Sequence, residues 1–371
     1  MTSSPRFRIF QANATDEERL RQLYSEKSRD GAIQINLDRT PNFVDALQVE
    51  GFENGIFSVE DTQTGVIVGT GIRNIRKCFI NGKFENVGYL SGLRVASTYR
   101  KSRAMAMIFI KLRQLYLKGE CKGYLCSVFN SNKAALEILT SGKAGMPTFK
   151  RVGQLNTFIF KPKQIHSNIN KNILIRRLET NDIDKFLKFL HSEGSKRQFF
   201  PYYTHNDLTN SSGLLKDLHN SDIIIAIEEN EIISCLALWN QNTFRRWKVE
   251  GYSAGVKILR PFLNGIFSLL TLPRLPKEHS KFNYRLLSLV CIRDNDRNIF
   301  AELFNYAIHG LDKKEAVLIS ASFFENDSLI QVLPKFKFSF KSTILLGFWK
   351  ETKSEIDQID QRFPYIEAGS L

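Results

Sequence analysis

The same order of elements is written twice along this chain, and that repeat restricts the fold more than any other feature. Phe7-Arg-Ile-Phe10 reads as a strand, and Thr15-Asp-Glu-Glu18 as a capping box ahead of a helical face at Leu20, Leu23 and Tyr24. Further on, residues 173–178 read as a strand, Thr180 or Asn181 as a cap, and Ile183, Phe186, Leu187 and Leu190 recur at helical spacing. Each copy then supplies a hairpin, 56–60 with 66–70 and 223–228 with 232–238. A strand running into a helix follows, 87–95 before 105–117 and 285–292 before 299–308, and each copy closes on a strand-rich stretch, 124–160 and 316–349. The polar, unpatterned residues 162–171 separate the copies as a linker would.

With 371 residues and about 150 per domain, two domains are the simplest division. The expected boundaries are 1–162, a linker at 163–172, a second copy at 173–352, and a charged tail at 353–371 that frays after Lys350. A 43% share of hydrophobic residues is enough to bury two ordinary cores and excludes a disordered chain.

The formal charge of +14 favours anionic partners: coenzyme phosphates, nucleic acid or anionic lipid. The basic residues are scattered, without zinc-finger spacing or an aromatic RNA-binding strand, so nucleic acid ranks low. Five cysteines, Cys78, Cys121, Cys126, Cys235 and Cys291, are odd in number and lack metal-ligand spacing; reduced thiols without a disulfide framework or metal site are expected. The first residues lack the apolar core of a signal peptide. The longest apolar run, 262–272, is about half the ~20 residues of a membrane span. A cytoplasmic protein is therefore expected, with 262–272 an interfacial or core helix; residues 252–281 can cover a sheet face, the partner domain or a lipid-like substrate, and core packing is the favoured use.

The stretch that carries chemistry begins at Val87-Gly-Tyr-Leu-Ser-Gly-Leu-Arg-Val95. Strand alternation puts Tyr89, Ser91, Leu93 and Val95 on one face and Leu90 and Arg94 on the other. After the basic segment 96–103, Met105, Ile108, Phe109, Leu112 and Leu115 form a helical stripe. The free amides and positive dipole end of such a helix start suit a pyrophosphate, and Arg100, Lys101 and Arg103 add charge. On spacing alone those three residues read equally as a solvated basic turn.

Leu93-Arg-Val95, Tyr99-Arg100 and its helix, the strand 123–129 and Asn132-Lys-Ala-Ala135 together resemble the acyl-CoA-binding core of the GNAT superfamily. The wider string from Gly88 to Pro147 resembles a group of tandem-GNAT bacterial proteins, and the element order matches the superfamily across residues 6–162. The resemblance implies an α/β (α+β) fold of two GNAT-like domains, each a mixed, mostly antiparallel twisted sheet flanked by helices. It implies transfer from acetyl-CoA or another acyl-CoA to an amine held across the sheet. The backbone of Leu93, Arg94 and Val95 would take the pantetheine and polarise the thioester carbonyl. The turn of Arg100, Lys101, Ser102, Arg103, Ala104 and Met105 would hold the pyrophosphate, and Asn132 would contact the cofactor.

The chain departs from that pattern in two places. Arg103 and Met105 stand where the family turn carries glycine or alanine, used for close backbone approach to phosphate. Leu139 stands where a tyrosine usually protonates the leaving thiolate; Tyr89, Tyr99 and Tyr124 are the substitutes, each also readable as core. Asn132 reads equally as an N-cap, and Cys126 as an inert strand residue. Asp45, Glu50, Glu53 and Glu85 are conceivable bases, none selected by sequence. In the second copy the turn Ile292-Arg-Asp-Asn-Asp-Arg-Asn298 places two aspartates at the phosphate position, where they cap the helix and repel the ligand. The cluster Phe199-Phe-Pro-Tyr-Tyr203, at a point where the resemblance implies an acceptor site, can wall a pocket or simply pack, and packing is slightly favoured. Two functions stay open: an N-acyltransferase with a degenerate second copy, or a non-catalytic protein binding a CoA-like ligand or a partner.

Overall fold

A computed structural model describes residues 5–25, 32–143, 145–168, 172–270, 272–311, 317–335, 337–350 and 358–371. Residues 169–171 of the expected linker and 353–357 of the expected tail lie outside them. The strands are β1 (Phe7–Ala12), β2 (Ile33–Asp38), β3 (Glu53–Asp61), β4 (Val66–Ile80), β5 (Lys83–Val95), β6 (Tyr124–Phe129), β7 (Thr148–Phe160), β8 (Leu174–Arg177), β9 (Ile223–Glu228), β10 (Glu231–Trp239), β11 (Arg246–Tyr252), β12 (Tyr284–Ile292), β13 (Leu318–Phe324) and β14 (Phe338–Phe348). The helices are α1 (Glu17–Ser25), α2 (Ala104–Tyr116), α3 (Lys133–Thr140), α4 (Ile183–Gly194), α5 (His205–Thr209), α6 (Ala254–Leu269) and α7 (Arg297–His309).

Twelve strands form one sheet in the order β1-β3-β4-β5-β6-β14-β7-β13-β12-β10-β9-β8. Its pairs are antiparallel except β5 with β6 and β12 with β13, one parallel pair in each copy. The closing strands lie in the middle: β14 pairs with both β6 and β7, and β7 pairs onward with β13. The two copies therefore follow each other along the chain yet share one hydrogen-bonded sheet. A second, two-stranded sheet joins β2 of the first copy to β11 of the second.

Each copy opens with a reciprocal cap one or two residues ahead of the expected one. Asn13 accepts the Thr15 amide while the Asp16 carboxylate accepts the Asn13 amide; the second copy repeats this with Glu179 and Asp182. Both short turns lead straight into the helix, so the acidic side chain of the turn does the work assigned to Glu18.

The core follows the helical stripes. Ile108, Phe109 and Leu112 of α2 pack on β3–β6 with Leu345 and Leu346 of β14, and Phe300, Leu303 and Phe304 of α7 pack on the other copy. Phe199, Phe200 and Tyr203 are buried, and the Phe199 amide donates to Phe79 O while the Phe79 amide donates to Phe200 O, which ties this segment to the end of β4.

Two expectations fail. The favoured core packing of 252–281 does not hold for its helix: no residue of α6 is buried, and Ile258, Phe262 and Leu269 stand 78%, 68% and 85% exposed, while Tyr252 ahead of it is buried. Its apolar stripe gave the same pattern a core helix would, and periodicity cannot say what the stripe faces. Fraying after Lys350 does not extend to residues 358–371. Ile366, Glu367 and Ser370 are buried, the Tyr365 amide donates to Gln198 O, and Gln241 donates to Gly369 O.

Candidate functional site

The site starts from a bulge. Along β4 and β5 the register passes from Ile72↔Ser91 to Thr70↔Arg94, leaving Gly92 and Leu93 opposite Gly71 alone. Gly92 has φ +58°, and a Cβ there would lie 2.3 Å from Tyr24 Oη and 2.6 Å from Ile72 Cδ1, so only glycine fits. Its carbonyl accepts the Tyr24 hydroxyl at 2.8 Å and the Thr70 hydroxyl at 3.0 Å.

The extra residue overturns the expected alternation, because an insertion moves every later side chain to the opposite face. Ser91 and Arg94 share a face, with Ser91 Oγ donating to Glu50 and Arg94 Nη1 to Tyr24 O. Leu93 and Val95 turn toward α2, where they line the backs of Gly71 and Gly69 beside Ile108 and Ala104.

At the same point β5 leaves β6. Their parallel pairing is Gly88↔Tyr124, Tyr89↔Leu125 and Leu90↔Cys126, while β5 runs on to Val95 and β6 to Phe129. Beside the bulge the two strands are therefore no longer hydrogen-bonded to each other. The chain then makes a 3-10 turn, Ser97–Tyr99, and enters α2 with Arg100, Lys101 and Arg103 exposed. Ser102 Oγ accepts the Ala104 amide, and Tyr99 donates to Asp61 Oδ2, which Arg6 also holds at 3.1 Å. An open cleft of about 600 Å³ lies here, lined by Arg6, Phe7, Thr98, Tyr99 and Ser102. Met105 is half-buried and packs against the core. Asn132 is exposed and caps α3 through the Ala135 amide at 3.1 Å, and Leu139 is core.

The three tyrosines part company. Tyr124 accepts the Arg73 Nε hydrogen at 2.9 Å inside the core, and Tyr99 is tied to Asp61. Tyr89 points to the Ser91 face, 4% exposed, and its hydroxyl has no hydrogen-bond partner among the described residues. Burial, then the nearby Glu50 charge, pushes its phenol well above the ordinary value, so it is neutral at any physiological pH.

Of the four conceivable bases, only Glu50 reaches this face. Asp45 pairs with Lys216, Glu53 with Arg73 and Glu85 with Lys122. Glu50 is fully buried and accepts from Asn74 Nδ2 at 2.7 Å, Ser91 Oγ at 2.7 Å and Arg39 Nη2 at 3.1 Å. Arg245 Nη1, from the second copy, stands 3.8 Å from Glu50 Oε1. Burial pulls the Arg245 guanidinium below its ordinary value; Glu50 opposes this and Arg39 adds to it. Arg39, Asn74 and Arg245 carried no signal in the sequence, since they lie in three separate segments and no spacing links one to another.

The second copy repeats the backbone device and fills it. Leu289 has φ +50° at a bulge against β10, where β12 pairs with β13 only from Tyr284↔Leu318 to Leu287↔Ala321. Its amide donates to Glu367 Oε2 at 2.9 Å. At the start of α7, Asp296 Oδ1 accepts the amides of Asn298 and Ile299 at 2.7 and 3.1 Å, so the chain's own carboxylate occupies the anion position. The adjoining cleft is lined by Glu228 and Glu302 as well as Arg293. The five cysteines are free and buried, and no helix among the described residues is long and apolar enough to cross a membrane.

No family model matches the sequence, and no curated protein matches it. The structure superposes on N-myristoyltransferase from Saccharomyces cerevisiae, solved with bound myristoyl-CoA, over 99% of this chain and 86% of that one (TM-score 0.58, 11% identity). A GCN5-related N-acetyltransferase from Kribbella flavida matches over 92% of this chain and 70% of its own (TM-score 0.50, 10% identity). A GCN5-related glucosamine N-acetyltransferase region of a fungal multi-domain GH3 β-N-acetylglucosaminidase matches over 93% and 38% respectively (TM-score 0.59, 14% identity). At these identities the likeness speaks for the fold: this chain has the fold of the GCN5-related N-acyltransferases.

Proposed function

We propose that the chain is an N-acyltransferase that moves an acyl group from acyl-CoA to an amine, with acetyl-CoA the first thioester to try. One observation supports this above others: the bulge at Gly92 sits where β5 leaves β6 and is followed at once by a basic turn into α2. In this reading the pantetheine lies between β5 and β6, along Leu93, Arg94 and Val95. A backbone amide there meets the thioester oxygen as negative charge develops on it.

The turn from Arg100 to Met105 receives the pyrophosphate. The residues present fit that task despite the missing glycines: Met105 turns into the core, and the exposed guanidinium groups of Arg100 and Arg103 supply forked donors in place of close amide contacts. Asn132 contacts the cofactor while capping α3. In the transfer the amine nitrogen bonds to the acyl carbon, the carbon–sulfur bond breaks, the departing thiolate takes a proton and the amine gives one up. Tyr89, with its unengaged hydroxyl, is the donor to the thiolate. Glu50 already accepts three hydrogen bonds and serves to position Arg39, Asn74 and Ser91. The second copy binds no cofactor and builds the acceptor side through β11 and Arg245.

Calorimetric titration with acetyl-CoA tests the reading. Arg100→Ala combined with Arg103→Ala should weaken binding at least tenfold, about 1.4 kcal/mol, without lowering the unfolding temperature, because both side chains are exposed. Failure of the wild-type chain to bind acetyl-CoA or a longer acyl-CoA at saturation would sink the proposal. Binding without thiol release across a panel of amines would favour a non-catalytic CoA-binding protein.

A further inference from the structure

Arg245 is 4% exposed, and its guanidinium makes no side-chain hydrogen bond among the described residues. A group with five donors removed from water is costly unless those donors find acceptors. Glu50 is near but at 3.8 Å falls outside hydrogen-bond reach of Arg245 Nη1. Arg39 is similarly placed: 7% exposed, bonded to Glu50 through Nη2, with Nε unpartnered. One carboxylate thus faces two guanidinium groups. Arg76 lies on the same β4 face as Asn74, over the Tyr89 ring, and adds a third buried cation whose Nε also lacks a partner.

The arrangement is built by both copies at one place. Asp38 and Arg246 are the end pair of the β2–β11 sheet, so Arg39 and Arg245 are the next residues beyond it on the two strands. Glu50 links this end to Ser91, the residue before the Gly92 bulge. The excess of positive charge around Glu50 is therefore next to the point where the acyl group would be held, on the sheet face away from α2.

We propose that the acyl acceptor is an amine that also carries an oxyanion, a carboxylate or a phosphate, and that Arg245 and Arg39 receive that group. The proposal rests on the acyltransferase reading above and adds the acceptor's chemistry to it. Guanidinium forks match either oxyanion in a bidentate manner, and an anion here completes the donors that the folded chain leaves open. Discrimination against a neutral amine follows from the same cause, since that amine would leave Arg39 Nε and Arg245 Nη1 buried without acceptors.

The test uses the full chain and matched probes: glycine against glycinamide, and phosphoethanolamine against ethanolamine. Binding is read by calorimetry and thermal shift, and thiol release is followed with acetyl-CoA present. At least one anionic member should bind tenfold or more tighter than its neutral match; glycine alone assigns a carboxylate, phosphoethanolamine alone a phosphate. Arg245→Met should abolish that preference yet unfold no earlier than wild type, because it removes a buried guanidinium that makes no hydrogen bond and leaves Glu50 its bonds to Arg39, Asn74 and Ser91, while Arg245→Lys should keep part of it. The proposal is overturned if neither anion binds preferentially, or if Arg245→Met keeps the preference. Earlier unfolding of Arg245→Met with unchanged anion affinity, the mark of a structural arginine, also overturns it. Acetyl-CoA affinity is measured separately. Thioester binding without anion preference rejects this inference alone, and anion preference without thioester binding rejects the acyltransferase reading while leaving the anion site in place.

Discussion

Glu367 Oε2 accepts the Leu289 amide at 2.9 Å, across 78 residues of chain, at the same bulge that the first copy builds around Gly92. The Tyr365 hydroxyl donates to the same oxygen at 2.8 Å, and the Gly369 amide donates to Glu367 Oε1 at 3.0 Å. One copy's bulge is thus closed by the Glu367 side chain, and the other's lies where β5 and β6 have ceased to pair.

Glu367→Ala removes the acceptor of two buried amides and of the part-buried Tyr365 hydroxyl. A buried donor left unsatisfied costs about 1–3 kcal/mol, so the two amides alone give a loss of roughly 2–6 kcal/mol, read as a lower denaturation midpoint. Acetyl-CoA affinity should stay within twofold, since the carboxylate serves the second copy. A midpoint equal to wild type would show that water replaces the carboxylate.

Tyr89→Phe should lower the rate of thiol release by about 10²-fold or more, the usual size of a lost proton donor, with acetyl-CoA affinity unchanged. Tyr124→Phe should leave the rate near wild type but destabilise the fold, because Arg73 Nε would lose its acceptor in the core. The reverse pattern would move the donor role to Tyr124.

Residues 1–162 expressed alone would bare β6 along its whole β14 edge and leave β7 without either neighbour. An exposed strand edge of that length pairs with other chains. Aggregation of the isolated half is expected, with recovery as a one-to-one complex when 163–371 is co-expressed. Size-exclusion chromatography reads both results, and a monodisperse isolated half would contradict the shared sheet.

Burial pushes the thiols of Cys78 up to about 11 and of Cys126 and Cys291 up to about 12, from an ordinary 9.0. The folded state keeps these protons while the unfolded chain releases them. The stabilising effect is complete below pH 9 and fades as pH rises toward 12. Denaturation midpoints should therefore fall between pH 9 and 11, and alkylating reagents should label the thiols only on unfolding. Labelling of the native protein at pH 8 would show that the buried cysteines open readily.

The twofold order of elements, the strand at β5, the basic turn and the helix of α2 were legible from the sequence, because each rests on local periodicity and local caps. So was the acidic start of α7, where Asp296 takes the amides an anion would need. Three things were not. The bulge at Gly92 depends on Tyr24 and β4 as well as on glycine, and it reversed the faces assigned to Leu93 and Arg94. The apolar stripe of α6 has core-like spacing, yet nothing in spacing says whether another surface meets it. The position of β14 between β6 and β7, and the meeting of Arg39, Glu50, Ser91 and Arg245, join segments up to about two hundred residues apart. Their partners are chosen by the closing of one sheet across both copies, and hydrogen bonds between distant strands leave no periodic mark on either strand's own sequence.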